Sequence, residues 1–298
     1  MLDWKEFYTN CKKIIIIPDG KINFLPFDAL TTKAEKSSDL KSAPFLINQF
    51  NIVYGYSASI LMQQRSDDYT SKTNAVFAFA PVFAKNENGQ QPLLFSQSEV
   101  ETINSGKAIN FLKERATLAN FKNSFEKAGI VHIASHAIVD TAANSNNRVV
   151  FIDSNLYLNE IYALHTRASL VVLSACETGV GVLDKSEGAM SLARGFYYAG
   201  AQNVITSLWS VDDRSTATIF GDFYQHLSGN DYAGSLYAAK LNYLKNASAA
   251  NASPYYWAGF VHIGYQKQQQ KNYLLYILIA GILAISAFSF LLYRRKKK

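Results

Sequence analysis

The chain has 298 residues, 49% of them apolar and 17% charged, enough to bury the core of one domain at the larger end of the usual size range. Its two cysteines, Cys11 and Cys176, exclude a disulfide framework and leave reducing and oxidising compartments both open. The net charge is +6, but the last five residues, Arg294–Lys298, carry five of those charges and the remainder stands at +1. The basic balance therefore belongs to a tail, and no nucleic-acid partner is expected.

In chain order, Ile14–Ile17 is a β-branched run closed by Pro18-Asp19-Gly20, which reads as a strand and a turn. Val76–Ala80 is a strand stopped by Pro81, and residues 84–91 are a polar loop. Ser96 and Glu99 have the spacing of a capping box that opens a helix running to Ile103. Phe111 closes a short strand, and Thr117–Ala128 is a helix ending at Gly129. Val149–Ile152 is a strand and Leu158–Leu164 a short helical turn. Ala189, Leu192, Ala193 and Phe196 mark an amphipathic helix ended by Gly200. Val204–Leu208 is a strand, followed by helices at Asp213–Leu227 and Tyr232–Leu244 and a last strand at Trp257–Gly264. In the first of those helices Phe220, Phe223, Tyr224 and Leu227 face inward. Strands alternating with helices predict an α/β fold, a mostly parallel sheet flanked by helices on both faces.

Two further apolar runs carry the chemistry. Leu170–Leu173 is a short run of the kind buried in a parallel sheet, and the chain then turns at Ser174-Ala175 to present Cys176. Ile130–Ala134 ends the same way and presents His136. Carboxyl ends of neighbouring parallel strands are where α/β folds place their sites. A cysteine and a histidine at two such ends suggest a thiolate nucleophile and its base. Taken alone, such a cysteine is more often a buried structural residue than a nucleophile. His132 and His136 are four residues apart, a metal-pair spacing that suits a helix rather than a strand, and no glutamate of a zinc motif accompanies them. Gly179-x-Gly181 lacks the third glycine of a dinucleotide loop. Neither metal nor cofactor is expected.

The string IVHIASHA, followed 40 residues later by LSACETG, resembles the CHAT domain family. Those domains are similar to caspases and separases, cysteine peptidases with a His-Cys dyad. The likeness continues through Glu187–Thr216 and Pro254–Gly264 and includes Ile14–Leu30 and Tyr54–Ser59 upstream, so that it covers roughly residues 10–266. It implies a caspase-like fold and a cysteine endopeptidase acting through Cys176 and His136. In the caspase-like clan two backbone amides bind the oxyanion; carried over, these belong to Cys176 and Ala137. The clan needs no third carboxylate. In separase-like relatives an acidic residue after a W-x-V strand end helps recognise a basic side chain at the cleaved position. Here the segment is Trp209–Arg214, and Asp213 falls at the matching place. Asp212 or Asp213 serves equally well as the cap of the helix that follows, with no substrate involved. Protein substrates, and an activator or helical-repeat partner, follow from the same resemblance. The other function left open is a CHAT-type scaffold or interaction module without turnover.

Tyr273–Tyr293 is a run of 21 residues without a charge, about 32 Å as a helix, which matches the hydrocarbon core. It predicts a C-terminal transmembrane helix set in a lipid bilayer, after a polar linker at residues 267–272 and before the basic tail at 294–298; the domain itself is expected over residues 1–266. Five positive charges after the span against two before it put the C-terminus in the cytoplasm and the domain outside. MLDWKEFYTN, with Asp3 and Glu6, is not a signal peptide. Two expectations accommodate that: the chain is the C-terminal piece of a longer protein, or it is tail-anchored with its domain in the cytoplasm.

Overall fold

The computed structural model describes residues 11–33, 39–66, 73, 75–83, 92–103, 108–139, 146–174, 183–184, 188–189 and 192–265. They belong to one unit, Met1–Gln266; Lys267–Lys298 form a second, and the expected span 273–293 with its linker and tail lies outside the described residues. No described helix is long and apolar enough to cross a membrane.

The strands are β1 (Lys13–Ile16), β2 (Asn51–Tyr54), β3 (Val76–Ala80), β4 (Ala108–Leu112), β5 (Ile130–Ile133), β6 (Ala137–Ile138), β7 (Arg148–Val150), β8 (Asn155–Tyr157), β9 (Leu170–Leu173), β10 (Leu183–Asp184), β11 (Gly188–Ala189), β12 (Asn203–Ser207) and β13 (Phe260–Gly264). The helices are α1 (Ala58–Ser66), α2 (Ser96–Glu101), α3 (Leu118–Phe125), α4 (Leu158–Tyr162), α5 (Leu192–Tyr198), α6 (Asp213–His226) and α7 (Tyr232–Asn246). Eight strands form one sheet in the order β1-β2-β13-β12-β9-β5-β3-β4. Neighbours are parallel except β12 and β13, which run antiparallel. The sheet is therefore two parallel blocks set head to tail. The carboxyl ends of β3, β4, β5, β9 and β12 share one edge, and those of β1, β2 and β13 lie on the opposite edge.

Burial explains why the strands read as continuous apolar runs. All four residues of β5 and of β9 are buried, as in a parallel sheet covered on both faces. Alternation along the strands then sorts side chains into two cores. Ala78, Leu170, Val172 and Ile205 pack with Val100 of α2, Ile219, Phe220 and Phe223 of α6, and Leu236 and Ala239 of α7. Phe79, Val131, Ile133, Val171 and Leu173 face the other way, against Phe121 and Phe125 of α3, Ile161 of α4 and Phe196 of α5. The chain after α5 turns at Gly200, whose φ of +107° and 2.3 Å approach of a would-be Cβ to the Thr166 carbonyl leave room for glycine alone.

Most predicted elements form within a residue or two of expectation. Two differ. The last strand is confined to Phe260–Gly264, because Trp257 is used as a fully buried core side chain whose indole N–H donates to the Ala252 carbonyl at 3.1 Å. The capping box at Ser96 does not form. Ser96 lies inside α2, its hydroxyl donates to the Leu93 carbonyl at 2.9 Å, and Glu99 turns into the core. A buried histidine on β5 claims that carboxylate.

Candidate active site

Chain order makes the site. From β3 the chain moves outward to the edge strand β4; from β5 it moves the opposite way, through β9 to β12. The connections leaving β3 and β5 therefore diverge, and a crevice opens beyond their carboxyl ends. His136 stands there, three residues after β5.

A small antiparallel sheet of β6, β7 and β8 fixes the backbone around His136. The Val150 amide donates to the His136 carbonyl at 2.9 Å, and the Ser135 hydroxyl donates to the Val150 carbonyl. Ala137 lies opposite Val149. Since the flanking bond runs through His136 and Val150, this pair is a non-hydrogen-bonded one, and the Ala137 N–H points away from β7. No acceptor for it is found among the described residues. The His136 side chain is 9% exposed, and its ring lies 5.2 Å from that of Phe83, tilted by 40°.

β9 pairs with β5 in the register Ile133↔Leu173. Ser174 ties the two ends further, its amide and its hydroxyl each donating to the Ile133 carbonyl at 3.2 Å. His136 and Cys176 each follow three residues after that registered pair. Cys176 itself lies outside the described residues.

Asp212 and Asp213 divide the two roles expected of them. Asp212 is the cap of α6: its Oδ2 accepts from the Ser215 amide at 2.9 Å and from the Ser215 hydroxyl at 2.8 Å. Asp213 is released from capping. Its Oδ2 accepts from the Phe95 amide at 2.7 Å, at the start of α2. Burial raises its carboxyl above the usual range, partly offset by that amide and reinforced by the nearby Glu99 charge.

Beneath the site runs a polar chain that sequence reasoning passed over. His132 is wholly buried on β5; its Nε2 meets Glu99 Oε1 at 2.8 Å and its Nδ1 meets the Tyr224 hydroxyl at 3.1 Å. The Ser174 hydroxyl stands 3.4 Å from the same Nε2. Burial, reinforced by Glu99, holds the Tyr224 phenol well above its ordinary value, so that it stays a neutral hydrogen-bonding partner. One signal for this was present: a histidine inside the apolar run IVHI must find a partner once buried. A buried ion pair, Lys240 with Asp28, lies among the described residues and had no such signal.

The sequence matches the CHAT domain over residues 6–265. The chain belongs to the CHAT domain family. No curated protein matches it. Among solved structures it is similar to separase in the Saccharomyces cerevisiae separase–securin complex, with a TM-score of 0.50, 12% identity, and coverage of 75% of this chain and 14% of that one. It is also similar to the Arg-specific cysteine proteinase gingipain R, with a TM-score of 0.53, 11% identity, and coverage of 87% and 65%. The complex of Porphyromonas gingivalis RgpB pro- and mature domains matches at a TM-score of 0.51 and 11% identity, over 88% and 66%. This CHAT domain thus has the caspase-like α/β fold that the motif implied, while spanning only a small part of separase and about two thirds of the gingipain chain.

Proposed function

We propose that this CHAT domain is a cysteine endopeptidase that acts on protein partners and is held at a membrane by residues 273–293. The observation that carries the reading is the placement of His136: it stands in the crevice at the end of β5, beside the end of β9, whose continuation bears Cys176. In the reaction His136 takes the thiol proton, and the Cys176 thiolate attacks the peptide carbonyl carbon. The oxyanion that forms is met by the backbone amides of Cys176 and Ala137. His136 then gives its proton to the leaving amine, and water cleaves the thioester. Asp213, half-buried and not needed as a cap, supplies negative charge for a basic side chain at the cleaved position. An activator or helical-repeat protein gates access. The basic tail at 294–298 favours a domain on the face of the membrane opposite the cytoplasm.

The test uses the detergent-solubilised chain and a peptidyl acyloxymethyl ketone with arginine at its reactive end. Covalent labelling of the wild type that is lost in both Cys176→Ala and His136→Ala supports the dyad. Equal labelling of wild type and Cys176→Ala removes it.

One observation favours a second reading. His136 is 9% exposed, with its ring covered by Phe83. A domain whose histidine stays covered is a CHAT-type scaffold or interaction module without turnover. Absence of labelling in the presence of membranes and candidate activators supports it.

A further inference from the structure

The segment that covers His136 is itself unusual. β3 ends at Ala80, and Pro81, Val82 and Phe83 follow. Val82 has φ +51°, in the left-handed region. A β-branched residue there is a genuine outlier, since its two γ-methyls crowd the backbone. Outliers of this kind persist only where the surroundings over-determine them, and they gather at functional sites.

The surroundings here are specific. Phe79 of β3 pairs with Ile133 of β5, so residues 81–83 leave the sheet level with residues 135–137, on the side of the crevice away from β9. Val82 packs against the core that includes Ala80 and Ala134. The left-handed turn then seats Phe83, 1% exposed, with its ring 5.2 Å from the imidazole of His136. An extended Val82 would send the next side chain along the strand direction instead.

We propose that Phe83 is a positioning residue for His136, and that the left-handed turn at Val82 exists to seat it. The aromatic face limits rotation of the imidazole and keeps water from one side of it. The other side stays directed toward the strand whose continuation carries Cys176. The proposal rests on the reading of His136 as the base.

The experiment measures alkylation of Cys176 by iodoacetamide in the full chain with Cys11→Ser, so that one thiol remains. Urea midpoints are measured alongside. His136→Ala sets the scale: a slower reaction establishes the imidazole's help, and an unchanged rate overturns the dyad reading and the proposal with it. Phe83→Leu keeps apolar bulk and removes the ring; it is expected to slow alkylation about tenfold, since a displacement of the order of 1 Å in a reacting pair has effects of that size or larger. Phe83→Tyr keeps the ring and is expected to restore the rate to within about twofold on the same geometric ground. Val82→Gly allows the same turn without the methyl crowding. It is expected to keep the urea midpoint while slowing alkylation several-fold, on the order of the Phe83→Leu effect or less, because glycine frees Phe83. If Phe83→Leu does not fold, Phe83→Met takes its place in the comparison. Slowing by His136→Ala with none by Phe83→Leu or Phe83→Met overturns the positioning role and leaves the dyad standing. Equal slowing by Phe83→Leu and Phe83→Tyr also overturns it, because the ring would then not be what matters.

Discussion

Replacing His262 with leucine is expected to raise stability at neutral pH and to remove most of an acid sensitivity that the wild-type chain carries. His262 lies in β13, opposite Ile205 of β12, is 2% exposed, and neither ring nitrogen has a hydrogen-bond partner among the described residues. Burial, with the nearby Lys13 charge second, pushes its pKa from 6.5 down to about 3. The folded state therefore keeps the ring neutral, whereas the unfolded chain takes up a proton below about pH 6.5. Stability linked to this group is full above that pH and is lost as pH falls toward 3, at about 1.4 kcal/mol per unit. Between pH 7 and pH 5 the loss is roughly 2 kcal/mol. The unpartnered nitrogens add a pH-independent cost of about 1–3 kcal/mol, which leucine removes. Urea unfolding at pH 7 and pH 5 in constant salt measures both, with tryptophan fluorescence as the probe. Wild type and His262→Leu should separate by about 2 kcal/mol more at the lower pH. Parallel pH dependences in the two proteins would refute the reasoning.

Other outcomes follow from the same arithmetic. Glu99→Leu leaves the buried His132 ring short of one hydrogen-bond partner and should cost about 1–3 kcal/mol in urea unfolding; adding His132→Leu should recover a large part of that, because the two residues act as one unit. Asp212→Ala should cost about 1 kcal/mol as a lost cap. Asp213→Asn keeps an acceptor for the Phe95 amide, so its urea midpoint should hold while kcat/KM falls for substrates with arginine at the cleaved position and not for those with leucine; equal losses on both would remove Asp213 from substrate recognition. Because burial holds the Asp213 carboxyl above the usual range, the arginine preference should fade at a higher pH than an exposed aspartate would give. The full chain should sediment with membranes and a chain ending at Gln266 should not; recovery of the full chain in the soluble fraction without detergent would remove the anchor.

Local chemistry alone determined much of this protein. Short β-branched and apolar runs bounded by Pro81, Gly129 and Gly200 gave β3, β5, β9 and β12 nearly residue for residue, because a strand covered on both faces must be apolar at every position. The helix starts at Thr117 and at Asp212 or Asp213 were legible for the same kind of reason: a cap is satisfied by backbone amides within three residues, and in the structure Thr117 accepts from Asn120 and Asp212 from Ser215. The position of His136 just past β5 was likewise open to reading, since it follows its own strand; Cys176 lies outside the described residues.

Only the tertiary structure decided where the long-range polar groups went. Ser96 and Glu99 had a local solution in a capping box, yet Glu99 pairs with His132, 33 residues away, because an imidazole wholly buried in β5 needs a partner, while the Ser96 hydroxyl finds one in the Leu93 carbonyl. Asp213 and Asp212 were equivalent in sequence; the start of α2, brought beside α6, separated a cap from a half-buried carboxylate. β13 runs against β12, which sets β1, β2 and β13 head to tail with the rest; two helices, α6 and α7, rather than one connect the pair, so the chain returns in the opposite direction. The left-handed Val82 has no sequence signature at all. Its conformation is dictated by what Phe83 must reach across the divergence of β3 and β5, and that divergence exists only once the strands are ordered in the sheet.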